Sequence, residues 1–259
     1  MLEALLWDVD GTLAETERDG HRVAFNLAFA EAGLPWGWCE RRYGELLQVT
    51  GGRERLLADM ATRADAPATP AAREALARRL HALKNAAYAR LVAEDRLRAR
   101  PGVVGLIRAA RAAGLRQAIV TTTSRANVQA LLPRLLGPDW ADGFDALLCG
   151  EDVAAKKPDP EVYTLALQRL GLAPAQALAL EDSPAGCQAA RAAGVAVLLR
   201  PSAYFPRVPE WAGWTWDEAQ PPDLAALRLG HARQATTLPW AEAVQAMPTA
   251  RLRPSHLAR

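Results

Sequence analysis

"ALLWDVDGT", residues 4–12, decides the fold of this 259-residue chain. The apolar run Ala4–Trp7 ends on Asp8, and "VDGT" is a turn signal, so the stretch reads as a short buried strand that delivers an acidic residue into a loop. No second strand follows at once. From Thr16 to about Arg98 the pattern is helical. "HRVAFNLAFAEAG" (21–33) sets Val23, Phe25, Leu27 and Phe29 among small residues and stops at Gly33. "AAREALARRLHALKNAAYARLVAEDRL" (71–97) is a long run of good helix formers.

Strands return afterwards. "RPGVVGLIRAARAAG" (100–114) gives a Pro-started helix closed by Gly114, and "LRQAIVTT" (115–122) is a buried strand. A helix over about 125–136 precedes the strand "FDALLCG" (144–150), a helix over 160–170 precedes "ALALED" (177–182), and a helix over 184–193 precedes "GVAVLLR" (194–200). Strands alternating with helices predict an α/β fold, a Rossmann-like doubly wound parallel sheet with right-handed crossovers. Residues 1–14 and 99–201 are expected to form this core, with 15–98 inserted after the first strand as an α-helical cap. Residues 202–259 form an extension rich in Trp and Pro, with helices expected near 224–231 and 240–247. Its tryptophans are expected to dock on the parent domain or on a second subunit.

Composition excludes several classes. Lys plus Arg number 31 against 29 for Asp plus Glu, a net charge of +2 that gives no electrostatic case for nucleic acid. No apolar run approaches the roughly 20 residues of a spanning helix, so no membrane partner is expected. Cys39, Cys149 and Cys187 lack ligand spacing, which suggests neither a disulfide framework nor zinc and fits a reducing cytoplasm. The chain is expected to act as a monomer or weak homo-oligomer.

In a parallel sheet, ligands gather beyond the carboxyl ends of the strands. The first strand delivers Asp8 and Asp10, the next Thr121; Lys157 follows the third strand, and the fourth ends in Glu181 and Asp182. Asp8 and Asp10 place two carboxyls where one can attack and the other can move a proton. Four carboxylates at one rim repel unless a cation sits among them, and oxygen-only ligands suit Mg²⁺. Lys156 and Lys157 are two of only three lysines in a chain that otherwise uses arginine. A slim ammonium fits a crowded anion site better than a flat guanidinium. Lys157 is expected to stand between Asp8 and a phosphate oxygen, with Thr121 supplying a hydroxyl, while Lys156 faces solvent.

"DVDGT" (8–12), Thr121, "KKPDP" (156–160) and "LEDSPAG" (180–186), in that order, resemble the four motifs of the haloacid dehalogenase superfamily, in its phosphatase branch with a helical cap. The resemblance covers residues 1 to about 200. It implies that Asp8 is the nucleophile forming an aspartyl-phosphate and Asp10 the general acid/base. It implies that Thr121 and Lys157 orient phosphate and nucleophile. Mg²⁺ would be held by Asp8, the backbone carbonyl of Asp10 and Asp182, with Glu181 nearby.

The strings "ETERDGHRVAFN" (15–26), "YGELLQVTGGRERL" (43–56), "TTTSRANV" (121–128) and "LLGPDWAD" (135–142) further resemble CbbY-type phosphatases, which hydrolyse the Rubisco inhibitor xylulose-1,5-bisphosphate and so serve the Calvin cycle. For such a bisphosphate, Thr50, Gly51, Gly52 and Arg53 would grip the distal phosphate, with Arg55 as the alternative anchor. Glu17 would accept sugar hydroxyls, His21 is its polar neighbour, and Thr122, Thr123 and Ser124 add hydroxyls. Trp7 stands where the family usually has phenylalanine, and Arg53 where CbbY sequences often have lysine. The alternatives are a β-phosphoglucomutase-like phosphomutase, or a catalytically silent sugar-phosphate-binding protein with the Trp-rich tail as partner surface.

Overall fold

In the computed structural model, which describes residues 1–209, 212 and 214–237, five parallel strands form one sheet in the order β3-β2-β1-β4-β5. They are β1 (Ala4–Trp7), β2 (Arg116–Val120), β3 (Ala146–Leu148), β4 (Ala177–Glu181) and β5 (Ala196–Leu199). β1 is central, and all four of its residues are buried because neighbours cover both sheet faces. Side chains alternate between those faces. Leu5 and Trp7 join one apolar cluster, and Ala4 and Leu6 the other.

Between β1 and β2 lie α1 (Arg22–Glu31), α2 (Glu40–Leu46), α3 (Gly52–Ala61) and α4 (Pro70–Ala93), with a π-helical turn over Glu17–His21 leading into α1. This insert has its own core, in which Phe25, Phe29, Trp36, Trp38, Tyr43 and Leu56 pack together. Of the apolar residues expected on α1, Phe25 and Phe29 are buried, whereas Leu27 is 41% exposed, because an i, i+4 pair shares one helix face. The two linkers to the insert run side by side, with Ala14 bridged to Ala99 and the Arg100 N–H donating to the Leu13 carbonyl at 2.8 Å.

The remaining helices are α5 (Val103–Ala112), α6 (Arg125–Leu136), α7 (Glu161–Leu170), α8 (Pro184–Ala192) and α9 (Leu224–Thr237). α9 runs beyond the expected stretch near 224–231, and the helix expected near 240–247 lies outside the described residues. Within the extension, Trp216 is 3% and Leu227 0% exposed, both packed into the larger core cluster.

Trp7, an unusual occupant of a central strand, has a dedicated partner. Its Nε1–H donates to Gln117 Oε1 at 3.0 Å, and Gln117 Nε2 donates to the carbonyls of Ile107 at 3.1 Å and Gly143 at 3.2 Å. Both side chains are fully buried. Leucine at position 117 would leave the buried indole N–H without its partner and take a donor from both carbonyls. Gln117→Leu is therefore expected to destabilise the protein by about 3 kcal/mol, read from urea unfolding, whereas a loss under about 1 kcal/mol would mean that the network is replaceable.

Candidate active site

The carboxyl ends of β1, β2 and β4 meet at one rim, and local sequence sets what each brings. Ser124 and Ser183 cap α6 and α8, their hydroxyls accepting from the N–H groups of Asn127 and Gly186. Both helices thus start directly after a strand end and point their N-termini at the rim. Gly11 has φ +87°, and a Cβ there would collide with the Asp182 carboxylate, so only glycine lets the loop after β1 lie against the end of β4.

Lys157 occupies the centre. Its Nζ donates to Asp8 Oδ1 at 2.7 Å, Glu181 Oε1 at 2.6 Å and the Val120 carbonyl at 2.8 Å, and the side chain is 3% exposed. Tyr163 also donates to Glu181 Oε1, at 2.7 Å. Burial opposes the Lys157 charge, but Asp8 and Glu181 outweigh it and hold its pKa above the usual lysine value.

Asp8, Glu181 and Asp182 present oxygens that all lie within 4.8 Å of one another. Burial pushes the carboxyls of Asp8 and Asp182 upward, and their neighbours' negative charges push the same way. Three carboxylates around one ammonium leave a formal excess of two negative charges, which a divalent cation offsets. An all-oxygen donor set is the kind that a hard cation takes.

Asp10 is arranged differently. Its Oδ1 accepts from Thr16 Oγ1 at 2.5 Å and lies 2.8 Å from His21 Nε2, so the side chain turns away from the acidic cluster toward the insert. Burial by itself would raise Asp10, but His21, Thr16 and Lys84 together hold it down at about 2.

Above the rim lies a cleft of about 390 Å³ between insert and core. Glu17, His21, Gly51, Gly52 and Arg53 line it from the insert, and Thr122, Thr123 and Ser124 line it from the core. A smaller adjoining cavity of about 90 Å³ reaches Asp8, Asp10, Thr50, Lys157 and Asp182. Thr121 is 1% exposed, and its hydroxyl accepts the Thr123 N–H at 3.2 Å.

The structure separates the two arginines left open as anchors. Arg53 is 47% exposed in its side chain and pairs with Glu74 at 3.2 Å. Arg55 is buried, donates to Tyr43 Oη at 2.9 Å, lies 3.8 Å from Glu17, and lines both cavities. Lys156 corrects an expectation: it is only partly exposed, with 26% of its side chain open to solvent, and it takes part in the cleft. Its Nζ meets Glu54 Oε1 at 2.7 Å in the cleft, because α3 lies directly over the lysine loop.

Lys84 on α4 was not anticipated. It is 3% exposed and lines the cleft, with its Nζ 5.2 Å from the centre of the Tyr88 ring and 5.4 Å from that of Phe25. Burial lowers its pKa to about 8, against the pull of Asp10 and Glu17. All three lysines of the chain therefore line this region, and the scarcity that singled out Lys157 singles out Lys84 equally. Tyr43, Asn127 and Tyr163 carried no comparable signal.

The sequence and the fold match known proteins. A sequence model of the haloacid dehalogenase-like hydrolases matches residues 2–194. Protein CbbY of Rhodobacter capsulatus is 45% identical over 225 residues, which cover 87% of this chain and 95% of that protein. The crystal structure of CbbY from Rhodobacter sphaeroides in complex with phosphate superposes with a TM-score of 0.81 at 40% identity, covering 88% of this chain and 100% of that one. A mutant of that protein in complex with xylulose-(1,5)bisphosphate gives the same TM-score and identity over 88% of this chain and 99% of its own. With the family model spanning most of its length and its four strand-end motifs converging on one rim, the chain belongs to the haloacid dehalogenase-like hydrolase family and is an enzyme of its phosphatase branch.

Proposed function

We propose that the enzyme removes one phosphate from xylulose-1,5-bisphosphate through an aspartyl-phosphate on Asp8, with Mg²⁺ held by Asp8, Asp182 and the Asp10 carbonyl, and Glu181 behind them. The observation that carries this reading is the Asp8 carboxylate, fixed by Lys157 beside an acidic cluster in the small cavity, which adjoins a cleft walled by Arg55, Lys84 and Lys156. That cationic wall suits a second phosphate. The phosphate and xylulose-bisphosphate complexes of the 40%-identical CbbY support the choice of substrate.

Asp8 would attack phosphorus, breaking the bond to the sugar oxygen, and Asp10 would protonate the departing alkoxide. Water would then attack the phosphorus of the acyl phosphate, giving its proton to Asp10 and freeing Asp8 and inorganic phosphate. Splitting the displacement in two lowers each barrier. Bound at the acidic cluster, Mg²⁺ would supply positive charge to the phosphate oxygens as phosphorus is attacked. Asp10, ionised in the free protein, must take up a proton to act as an acid, and a dianionic phosphate arriving nearby raises its pKa in the required direction. The helical insert would serve as a cap that excludes bulk water from the first step.

Three outcomes test this. Asp8→Asn is expected to lower phosphate release from xylulose-1,5-bisphosphate by about 10⁴-fold or more with the fold intact. EDTA should abolish release and added Mg²⁺ restore it. Isomerised sugar phosphate from glucose-1-phosphate, in place of free phosphate, would identify a phosphomutase instead.

For the distal phosphate, Arg55→Met should raise KM for the bisphosphate about 10- to 100-fold, the value of a buried charged hydrogen bond, while Arg53→Met changes it less than about threefold. Equal effects would reject Arg55 as the anchor.

The Lys84 pKa of about 8 fixes a pH dependence. Below that value the free protein carries the ammonium that attracts the bisphosphate; above it the charge is lost. Accordingly the affinity for the bisphosphate should fall as pH rises through 8, and Lys84→Met should bind it more weakly and without that fall, read from binding to the inactive Asp8→Asn protein so that titration of Asp8 does not enter. An unchanged slope in the variant would assign the titration elsewhere.

A further inference from the structure

Two buried arginines lie side by side, Arg100 at the return from the insert and Arg200 at the end of β5. Arg100 is 7% and Arg200 1% exposed, and Arg200 stacks over Trp216 with its guanidinium carbon 4.3 Å from the ring centre. Like charges so close repel, and one carboxylate serves both. Glu218 Oε1 accepts from Arg100 Nε at 2.8 Å and from Arg200 Nη2 at 3.1 Å. Arg100 also has Glu15 at 3.5 Å, and its Nη2 donates to the Pro201 carbonyl at 2.6 Å.

The remaining arm of Arg100 reaches the site. Its Nη1 donates to the backbone carbonyl of Gly11, in the loop that carries Asp8 and Asp10. Within the loop, the Gly11 N–H donates to Ala14 O at 2.8 Å and the Leu13 N–H to Val9 O at 2.9 Å, and its ends are held by the Asp8 N–H on Leu180 O at 3.1 Å and the Arg100 N–H on Leu13 O at 2.8 Å; the Gly11 carbonyl is the point that the Arg100 side chain holds. Glu218 in turn is fixed by the return of the chain along β5, where the Trp216 N–H donates to Leu199 O at 2.8 Å and Thr215 bridges Leu199.

We propose that Glu218 is a positioning residue for the reaction: by neutralising the Arg100–Arg200 pair it holds the Arg100 fork on the Gly11 carbonyl and so fixes the loop bearing Asp8 and Asp10. This rests on the phosphatase reading for its kinetic effect, though not for its effect on the loop. Only a fork can grip Gly11, Pro201 and Glu218 together. Without the shared carboxylate the two guanidinium groups separate, and the Gly11 carbonyl loses its anchor. Glu218 itself is half exposed, so its ion pairs add little to global stability, and its loss is felt at the loop.

Glu218→Gln tests the proposal by two readouts. Per folded molecule, kcat for xylulose-1,5-bisphosphate should fall about tenfold or more while KM stays within about threefold, because the cleft that binds the sugar is untouched. Hydrogen exchange of the amides of residues 11–13 should accelerate relative to wild type. Adding Arg200→Met removes the repulsion that Glu218 offsets, and should restore most of both. A variant with lower melting temperature but wild-type kcat and wild-type exchange would overturn the proposal, as would failure of the double variant to recover either readout. If Glu218→Gln does not fold, Arg100→Lys, which keeps the charge and loses the fork, is read by the same pair of measurements, and wild-type values in both overturn it. A wild-type protein that releases no phosphate would defeat the phosphatase reading instead, and the exchange rates would still decide the role of Glu218.

Discussion

The site depends on one ammonium placed where three chain segments end. Lys157 has three donors and spends them on Asp8, Glu181 and the carbonyl at the end of β2, so one side chain ties β1, β2 and β4 together at their carboxyl edge. A buried charge costs several kcal/mol unless its partners are close and well aligned, and here each lies within 2.8 Å. The arrangement leaves Asp8 oriented but still rich in negative charge, because Asp182 stands beside it with no cation among the described residues to match. Fixed geometry and unmet charge together make the rim a place for a metal ion and a phosphate.

Asp8 and Asp10 are held by different parts of the molecule. Asp8 is fixed by groups of the sheet, whereas Asp10 is turned toward Thr16 and His21, which begin the helical insert. His21 stacks on Tyr88 of α4, with ring centres 4.3 Å apart, so the orientation of Asp10 follows the position of the insert. Cationic residues are divided in the same way: Lys157 belongs to the sheet, Arg55 and Lys84 to the insert, and Lys156 spans the two by pairing with Glu54. A polar, charged contact of this kind lets the two parts separate at lower cost than an apolar one.

The chain beyond β5 closes the back of the same loop. Trp216 and Leu227 fill the larger core cluster, Tyr204 lies with its ring centre 5.6 Å from that of Tyr43 in the insert, and the Ala203 N–H donates to Glu15 at 3.2 Å. A segment with weak sequence signals thus touches the sheet, the linker and the insert at once.

Much of this was legible in the sequence, and the reasons are local. A run such as Ala4–Trp7, buried on both faces, has to be apolar throughout, and helices of the insert have to repeat near every fourth residue, so the parallel sheet and the interruption after its first strand were readable from periodicity. The acids and Lys157 were readable because strand ends are fixed points in such a sheet. Partnerships across the cleft were not: that Arg55 turns inward and Arg53 outward, that Lys156 meets Glu54, and that Arg100 reaches Gly11 depend on how α3, the linkers and the extension pack. Residues 102 positions apart, as Glu54 and Lys156 are, leave no mark on each other's local sequence, so only the folded chain decides that they meet.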